Sequence, residues 1–329
     1  MADLLLRDLL VATGGRLSLA AMPPRDGDLL MLRRSTSHAA GVRSGDLYWA
    51  LPGSDDNGMH HVEEAFARGA AGAVICGREI EPWPGKFTLA VTDARSALWQ
   101  AAEHARTRFE GTVVAAAGSG MSDLLHQVLG SQLSGSRCAG SHCSARGSHD
   151  RQASDELQLA LLNAHPSHNY LVLDCPNTHA ADIHRCCPHI AVVTSATSSD
   201  EIMPMLQSLP ADGWAVLNGD EPLLRNAVAA LGDDSLRVIW VGTTAGCDLR
   251  AEFSKRCIVI EGTKIPVAQA ADVFNVLAAV AVGKILNISD LSMFAVLGKV
   301  PPQTASDRTV YAPTDAALLM PSLLSNRAP

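Results

Sequence analysis

The sequence predicts an α/β protein in which a small α/β amino-terminal domain precedes a parallel sheet flanked by helices. The run Thr112–Ala117 is apolar and bounded by glycine, as is typical of a buried parallel strand. A Gly-Ser-Gly turn and a helical stretch, Ser122–Leu133, follow it directly. Apolar strands then alternate with helical stretches, the pattern of a parallel sheet covered on both faces. A chain of 329 residues has room for two or three such domains.

The first segment, residues 1–94, is predicted to be the small α/β domain. Gly69 lies where a helix is expected to end, because glycine readily adopts the backbone conformation of a helix stop. The predicted helices are Leu4–Thr13 and His61–Arg68, and the predicted strands are Asp46–Ala50, Ala73–Cys76 and Phe87–Val91.

The second segment, residues 95–300, is predicted to hold the larger sheet. Its helices include Ala94–Phe109 at the boundary and the long Ala268–Leu286. After Thr112–Ala117, the predicted strands are Tyr170–Leu173, Ile190–Thr194, Trp214–Leu217 and Val238–Val241. Serine and glycine dominate Ser134–Gln152, which favours a flexible loop. Residues 301–329 show little periodicity, and we interpret them as a short tail.

Composition limits the kind of partner. The formal net charge is −8, which argues against general nucleic-acid binding, since that needs a basic surface. No apolar run is long enough to predict a membrane span. Eight cysteines without a secretion signal favour reduced thiols in the cytoplasm.

The most specific stretch runs from Gly45 to Cys76 and reads GDLYWALPGSDDNGMHHVEEAFARGAAGAVIC. It resembles the amino-terminal domain of Mur ligases, the cytoplasmic enzymes that extend UDP-N-acetylmuramoyl peptides, and in particular the MurE and MurF branches. Those carry a Pro-Gly-Asp-Leu-Phe-Val-Ala-Leu run, an Asp-Gly-His loop and a helix ending in Gly-Ala. The resemblance implies that Ser37, Asp46 and Gly58 occupy family positions for the UDP substrate.

The resemblance continues to about residue 300 and implies a central ATPase domain with a P-loop-type sheet. Asn218 and Asp220 match the family's Asn-x-Asp-Asp segment beside adenine, where Glu221 stands for the second acid. Asn275 matches an asparagine in a long family helix. In Mur ligases ATP phosphorylates a carboxylate, and an amine then attacks the acyl phosphate. The third family domain, which binds the amine substrate, is expected to be absent.

The phosphate loop departs from the family. Mur ligases carry Gly-[Ser/Thr]-x-Gly-Lys-Thr-Thr, in which backbone N–H groups cradle phosphates, lysine supplies charge and a hydroxyl binds Mg²⁺. Here the corresponding residues are Gly118, Ser119, Gly120, Met121 and Ser122. Without a gap, Ser122 replaces the lysine; with a one-residue gap, Met121 replaces it and Ser122 keeps the hydroxyl role. Both alignments predict a degenerate loop without lysine.

Two sets of residues have the side-chain chemistry of metal ligands. Asp174 and Asp200 align with the family's Mg²⁺-binding glutamate and histidine, and carboxylates are suitable ligands for a hard cation. The alternative interpretation is that both are ordinary polar residues at the carboxyl ends of strands. Five cysteines and seven histidines lie between Cys138 and His189, but their spacing fits no standard zinc module. We therefore interpret them mainly as surface or packing residues.

These departures predict a Mur ligase homologue that does not ligate and that has a binding or scaffold role in peptidoglycan precursor metabolism. Its expected partners are a UDP-sugar or UDP-muramoyl peptide and another protein, without a resident cofactor. Two alternatives stay open. One is an active ATP- and Mg²⁺-dependent UDP-N-acetylmuramoyl-peptide amide ligase completed by a partner chain. The other is a protein-interaction module that binds no small molecule.

Overall fold

The computed structural model describes residues 4–20, 29–53, 58–118, 120–130, 138–140, 150–175, 180–196, 198–232, 236–254, 257–266 and 270–298. The chain forms two compact units. The first comprises Met1–Val113, Arg137–Cys143 and His149–Leu173, and the second comprises Val114–Ser136, Ser144–Ser148 and Asp174–Pro329.

The first unit is built on a five-stranded sheet. Its elements up to residue 108 are β1 (Leu4–Leu5), α1 (Leu6–Thr13), β2 (Arg16–Leu19), β3 (Met31–Leu32), β4 (Ser35–Thr36), β5 (Leu47–Trp49), α2 (Val62–Ala67), β6 (Gly72–Cys76), β7 (Phe87–Val91) and α3 (Ala94–Arg108). The strand order is β2-β7-β6-β5-β4. Only β2 runs antiparallel to its neighbour, and β1 pairs separately with β3.

Helix α2 covers one face of this sheet because its apolar residues fall on a single side. Val62, Ala65 and Phe66 are buried in one cluster with Tyr48 and Ile75 from the strands beneath them. Gly69 follows the helix with a φ of +105°, a conformation that glycine adopts without the steric cost of a Cβ. The predicted helix stop at this glycine is thus present.

Three further elements belong to the first unit: β9 (Cys138–Gly140), α5 (Asp150–Leu162) and β10 (Tyr170–Asp174), whose last residue passes into the second unit. Strands β9 and β10 pair in parallel. The predicted loop Ser134–Gln152 is therefore wrong at Cys138–Gly140 and at Asp150–Gln152, where polar composition concealed a strand and a helix start. Its other residues lie outside the described part of the chain.

The second unit is built on parallel strands. Its elements are β8 (Thr112–Ala117, the first two residues of which fall in the first unit), α4 (Met121–Leu129), α6 (Ala180–Cys186), β11 (Ile190–Val193), α7 (Ser199–Gln207), β12 (Trp214–Asn218), α8 (Pro222–Leu231), β13 (Arg237–Gly242), β14 (Leu249–Arg250), β15 (Glu252–Ser254), β16 (Cys257–Ile260), β17 (Thr263–Pro266), α9 (Ala270–Ile285) and α10 (Asp290–Leu297).

Strand pairing in this unit brings several strand ends together. The order β14-β13-β12-β11-β8 is parallel throughout, and the backbone N–H of Cys175, just after β10, donates to the Ala116 carbonyl of β8. Strands β15, β16 and β17 form a small antiparallel sheet. Helix α9 packs against β12, β13 and α4. The carboxyl ends of β8, β11, β12 and β13 consequently share one edge, the usual ligand position in such sheets.

Candidate functional site at the strand ends

The turn after β8 is short and depends on glycine. Gly118 has a φ of +148° and Gly120 a φ of +72°, and α4 begins at the next residue. A Cβ placed on Gly118 would lie 2.3 Å from Thr194 Oγ1, so no larger residue fits there. Ser119 lies outside the described residues. The chain thus passes from strand to helix within three residues.

The first turn of α4 begins with an apolar, buried side chain. Met121 is the first helical residue and is 0% exposed. Ser122 is also buried, whereas Asp123 is exposed. A helix amino terminus favours anions, but a buried methionine adds no positive charge, and the nearby carboxylate of Asp123 opposes a phosphate.

Thr194, the residue after β11, connects the other predicted positions. Its Oγ1 donates to Asn275 Oδ1 of α9 at 2.9 Å. Asn218 Nδ2, at the end of β12, donates to the Thr194 carbonyl at 3.1 Å. All three residues are buried, so each hydrogen bond offsets the cost of removing polar groups from water. The predicted nucleotide positions Asn218 and Asn275 therefore lie in one network centred on Thr194.

Asp220 has a separate set of partners on the loop after β13. Thr243 donates to Oδ2 through its N–H at 2.7 Å and its hydroxyl at 2.6 Å. Thr244 donates to Oδ1 through its N–H at 3.1 Å and its hydroxyl at 2.7 Å. The backbone N–H of Asp220 itself donates to Asn218 Oδ1 at 3.0 Å. The carboxylate is thus held by four donors from two consecutive threonines.

These contacts determine the charge state of the site. Burial raises the pKa of Asp220, but the hydrogen bonds from Thr243 and Thr244 to its ionised form outweigh that effect and lower the pKa below its ordinary value. The neighbouring Glu221 has no comparable donors, and burial raises its pKa. Asp220 is the more strongly acidic member of the pair.

Arg225 of α8 connects the backbone after β12 to the loop after β13. Its Nε donates to the Gly219 carbonyl at 2.7 Å and its Nη2 to the Gly246 carbonyl at 3.0 Å. Its guanidinium lies 4.6 Å from the centre of the Trp240 ring. Such stacking of a cation on an aromatic face adds to the hydrogen bonds.

The predicted metal-binding residues are more exposed to solvent than the buried network around Thr194. Asp174 is half-buried at the end of β10, and Asp200 is exposed in the first turn of α7. Within the described residues, no group of three or more His, Cys, Asp or Glu side chains is arranged to hold a metal ion. Part of the Cys/His-rich stretch lies outside those residues, namely His142, Cys143, His149 and His179.

The predicted UDP positions lie in the first unit and have internal contacts. Asp46 is buried and accepts hydrogen bonds from Arg34 Nη2 at 2.8 Å and from the Arg43 N–H at 2.9 Å. The Gly58 carbonyl accepts a hydrogen bond from the Tyr48 hydroxyl, and a Cβ on Gly58 would lie 2.7 Å from the Leu51 carbonyl oxygen.

Ser37 differs from those two UDP positions. It is half-buried, and its Oγ lies 3.4 Å from Nδ1 of the adjacent His38.

Four residues of the second-unit site were not predicted from the sequence: Thr194, Arg225, Thr243 and Thr244. The pair Thr243-Thr244 directly follows Gly242 at the end of a strand, which is a usable signal for a backbone loop that holds an anion. Thr194 carried no such signal.

Comparison with known proteins supports the fold. No family model matches the sequence, and neither does any curated protein. Among solved structures, MurF from Acinetobacter baumannii superposes with a TM-score of 0.70 at 20% identity, covering 90% of this chain and 68% of that one. A structure of UDP-N-acetylmuramoylalanyl-D-glutamyl-2,6-diaminopimelate–D-alanyl-D-alanyl ligase from the same organism gives 0.69 at 21% identity, with the same coverage.

MurF from Thermotoga maritima, solved with ADP, gives a TM-score of 0.61 at 20% identity and covers 82% of this chain and 67% of that one. The resemblance to Mur ligases is confirmed at the level of the fold, and with it the predicted fold class. No helix of the described residues is both long and apolar enough to cross a membrane.

Proposed function

We propose that this chain, which has the Mur ligase fold, does not ligate and has a binding or scaffold role in peptidoglycan precursor metabolism in the cytoplasm. The observation that carries the proposal is Met121, fully buried as the first residue of α4. An active phosphate loop places a lysine on the transferred phosphoryl group, and its charge stabilises the transition state.

The geometry of the turn favours one of the two alignments of this loop. Gly120 caps α4, Met121 begins it and Ser122 follows, which is the glycine–lysine–hydroxyl order of a phosphate loop. We therefore assign the lysine position to Met121 and the Mg²⁺-binding hydroxyl position to Ser122. Loss of one preorganised electrostatic donor lowers the reaction rate by a factor of about 10²–10³. The hydroxyl of Ser122 is buried, so it is also poorly placed to bind Mg²⁺.

No other lysine is close in sequence to replace the missing one. The chain has none between Lys86 and Lys255. Lys86, in the first unit, donates to the Ala70 carbonyl, and Lys284 of α9 forms an ion pair with Glu261. Both of these ammonium groups therefore already have partners.

The proposed ligand is a UDP-sugar or UDP-muramoyl peptide, the kind of molecule that the ligase name of one structural neighbour includes. It is supported by the retained amino-terminal sheet and by the Gly45–Cys76 pattern. Because Asp46 and Gly58 are engaged within the fold, we propose that they shape the unit and do not contact the ligand directly.

The proposal is tested by titrating the purified protein with ATP and Mg²⁺ and, separately, with a UDP-muramoyl tripeptide, while thermal unfolding is followed. A ligand that binds only the folded state raises the melting temperature, and the rise grows with the logarithm of ligand concentration once that concentration exceeds the Kd. We expect such a concentration-dependent rise with the UDP-muramoyl tripeptide and none with ATP. ATP-dependent amide formation would refute the proposal, and no response to the UDP ligand would favour a pure interaction module.

A further inference from the structure

The loop after β13 has the form of an anion-binding nest. Two consecutive backbone N–H groups, those of Thr243 and Thr244, converge on the same carboxylate, and both hydroxyls reinforce them. Consecutive N–H groups that point into one concavity form a recognised site for anions. Here the anion belongs to the chain itself, because Asp220 occupies the concavity.

Two glycines make room for this arrangement. A Cβ on Gly242 would lie 2.6 Å from Asp220 Oδ1, and a Cβ on Gly219 would lie 2.8 Å from Arg225 Nη2 and 2.6 Å from Cys247 Sγ. Any side chain at either position would therefore force the carboxylate, the guanidinium or the thiol to shift. Close approach of the backbone to a charged group is a common reason for glycine at such a position.

We propose that Thr243 and Thr244 form a carboxylate-binding nest whose resident ligand is Asp220. The nest agrees with the proposed function without depending on it: a carboxylate held by the four donors of Thr243 and Thr244, and approached by the Cys247 thiol at 3.6 Å, is a structural ligand and is not offered to a nucleotide. The nest fits the size and charge of a carboxylate, because its donors reach both oxygens at hydrogen-bonding distance.

Removal of the resident carboxylate should open the nest to a free one of matching size. Asp220→Ala keeps Cβ and removes the carboxylate, which leaves a space the size of formate. Asp220→Gly also lacks Cβ and leaves a space the size of acetate. We expect each variant to melt on the order of 5 °C below the unsubstituted protein, because charged hydrogen bonds are lost from a large chain.

Chemical rescue is the test. With 200 mM sodium formate, Asp220→Ala should recover about half of its loss in melting temperature relative to equal sodium chloride, while acetate restores less. Asp220→Gly should show the reverse preference, and the unsubstituted protein should respond to neither. Equal responses of all three proteins would mean a general salt effect and would overturn the proposal, as would no response of either variant.

A triple variant, Asp220→Ala with Thr243→Val and Thr244→Val, is the matched control. It lacks both hydroxyls while side-chain shape is preserved, so its response to formate should be much weaker. If Asp220→Ala does not fold, the single variants Thr243→Val and Thr244→Val provide the test in the presence of Asp220. Each should raise the pH at which the Asp220 carboxyl carbon titrates by NMR, and an unchanged titration would overturn the nest.

The two proposals fail separately in these experiments. ATP-dependent amide formation would refute the proposed function without affecting rescue by formate. Failure of rescue would refute the nest and would leave the evidence from Met121 unchanged.

Discussion

Acidic residues near strand ends here bind hydrogen-bond donors of the chain itself. Asp46 binds Arg34 and the Arg43 N–H, and Asp220 binds the Thr243-Thr244 pair. A buried polar group is costly unless its hydrogen bonds are satisfied, and internal donors satisfy these. The sequence identified the polar residues, but it could not identify their partners, since Arg34 and Thr243 lie far from them along the chain.

Because Met121 is buried, we expect the free energy of unfolding to depend strongly on the charge of the side chain at this position. Met121→Lys should lower the free energy of unfolding of the second unit by about 3 kcal/mol, because an unpaired ammonium would replace a fully buried thioether. Met121→Leu, which preserves volume, should cost less than about 1.5 kcal/mol. Urea denaturation of both variants measures the difference, and equal stability would contradict the burial.

Gly58 is predicted to tolerate no side chain. Gly58→Ala should destabilise the first unit by about 1–3 kcal/mol, because its Cβ would lie 2.7 Å from the backbone oxygen of Leu51. Gly41→Ala is the control, since no atom lies within 4 Å of a Cβ there. Thermal unfolding compares the two, and a Gly58→Ala protein as stable as the control would show that Leu51 moves freely.

The lowered pKa of Asp220 predicts a specific dependence of the free energy of unfolding on pH. Its pKa in the folded state is lowered by Thr243 and Thr244, so the unfolded chain binds its proton at a higher pH. The stabilisation is therefore fully present above the unfolded pKa of about 3.9 and is lost as pH falls through the lower folded value. In denaturation between pH 6 and pH 3, Asp220→Asn should show a flatter acid limb. Parallel limbs would contradict the assignment.

At the scale of elements, long apolar segments were predictable and very short ones were not. Strands β7 and β8 have the predicted bounds, because each is an apolar run with clear flanks. Strands β1, β3, β4 and β14 have two residues each, too few to show any periodicity. Their existence depends on tertiary pairing that local sequence does not encode.

Strand β4 is protected at its open side by a residue that the sequence did not single out. Asn163, just after α5, accepts a hydrogen bond from the Ser35 N–H at 2.7 Å and donates to the Ser35 carbonyl at 2.9 Å. Its side-chain amide thus supplies the two bonds that a further strand would supply. Covering an edge in this way prevents unwanted strand pairing.

Asn163→Ala should therefore lower the free energy of unfolding of the first unit by about 1–3 kcal/mol, since a buried backbone pair loses both partners. Gln100→Ala on the exposed side of α3 serves as control and should cost under about 0.5 kcal/mol. Hydrogen exchange of the Ser35 amide gives an independent measurement. An unchanged exchange rate in Asn163→Ala would contradict the proposed protection of β4.

At the scale of the whole molecule, fold and chemistry are separable. The chain superposes on MurF over 90% of its length, and the turn after its strand β8 leads into a helix that begins with a buried methionine. A packed core depends on many residues, whereas phosphoryl transfer depends on a few charged ones, so the second can be lost while the first persists. The alternation of strands and helices was accessible from the sequence, whereas the order of the strands in the sheet was not predicted. The absence of lysine from the turn after β8 was visible in the sequence.

The most direct test of the central claim is ADP formation by the purified chain with saturating ATP, Mg²⁺, UDP-muramoyl tripeptide and D-alanyl-D-alanine. An active MurF assayed alongside verifies the substrates. Because position 121 holds methionine and not lysine, we expect no ADP above the background of an enzyme-free mixture over many hours. ADP and an amide product formed in equal amounts, at any rate above that background, would contradict the account.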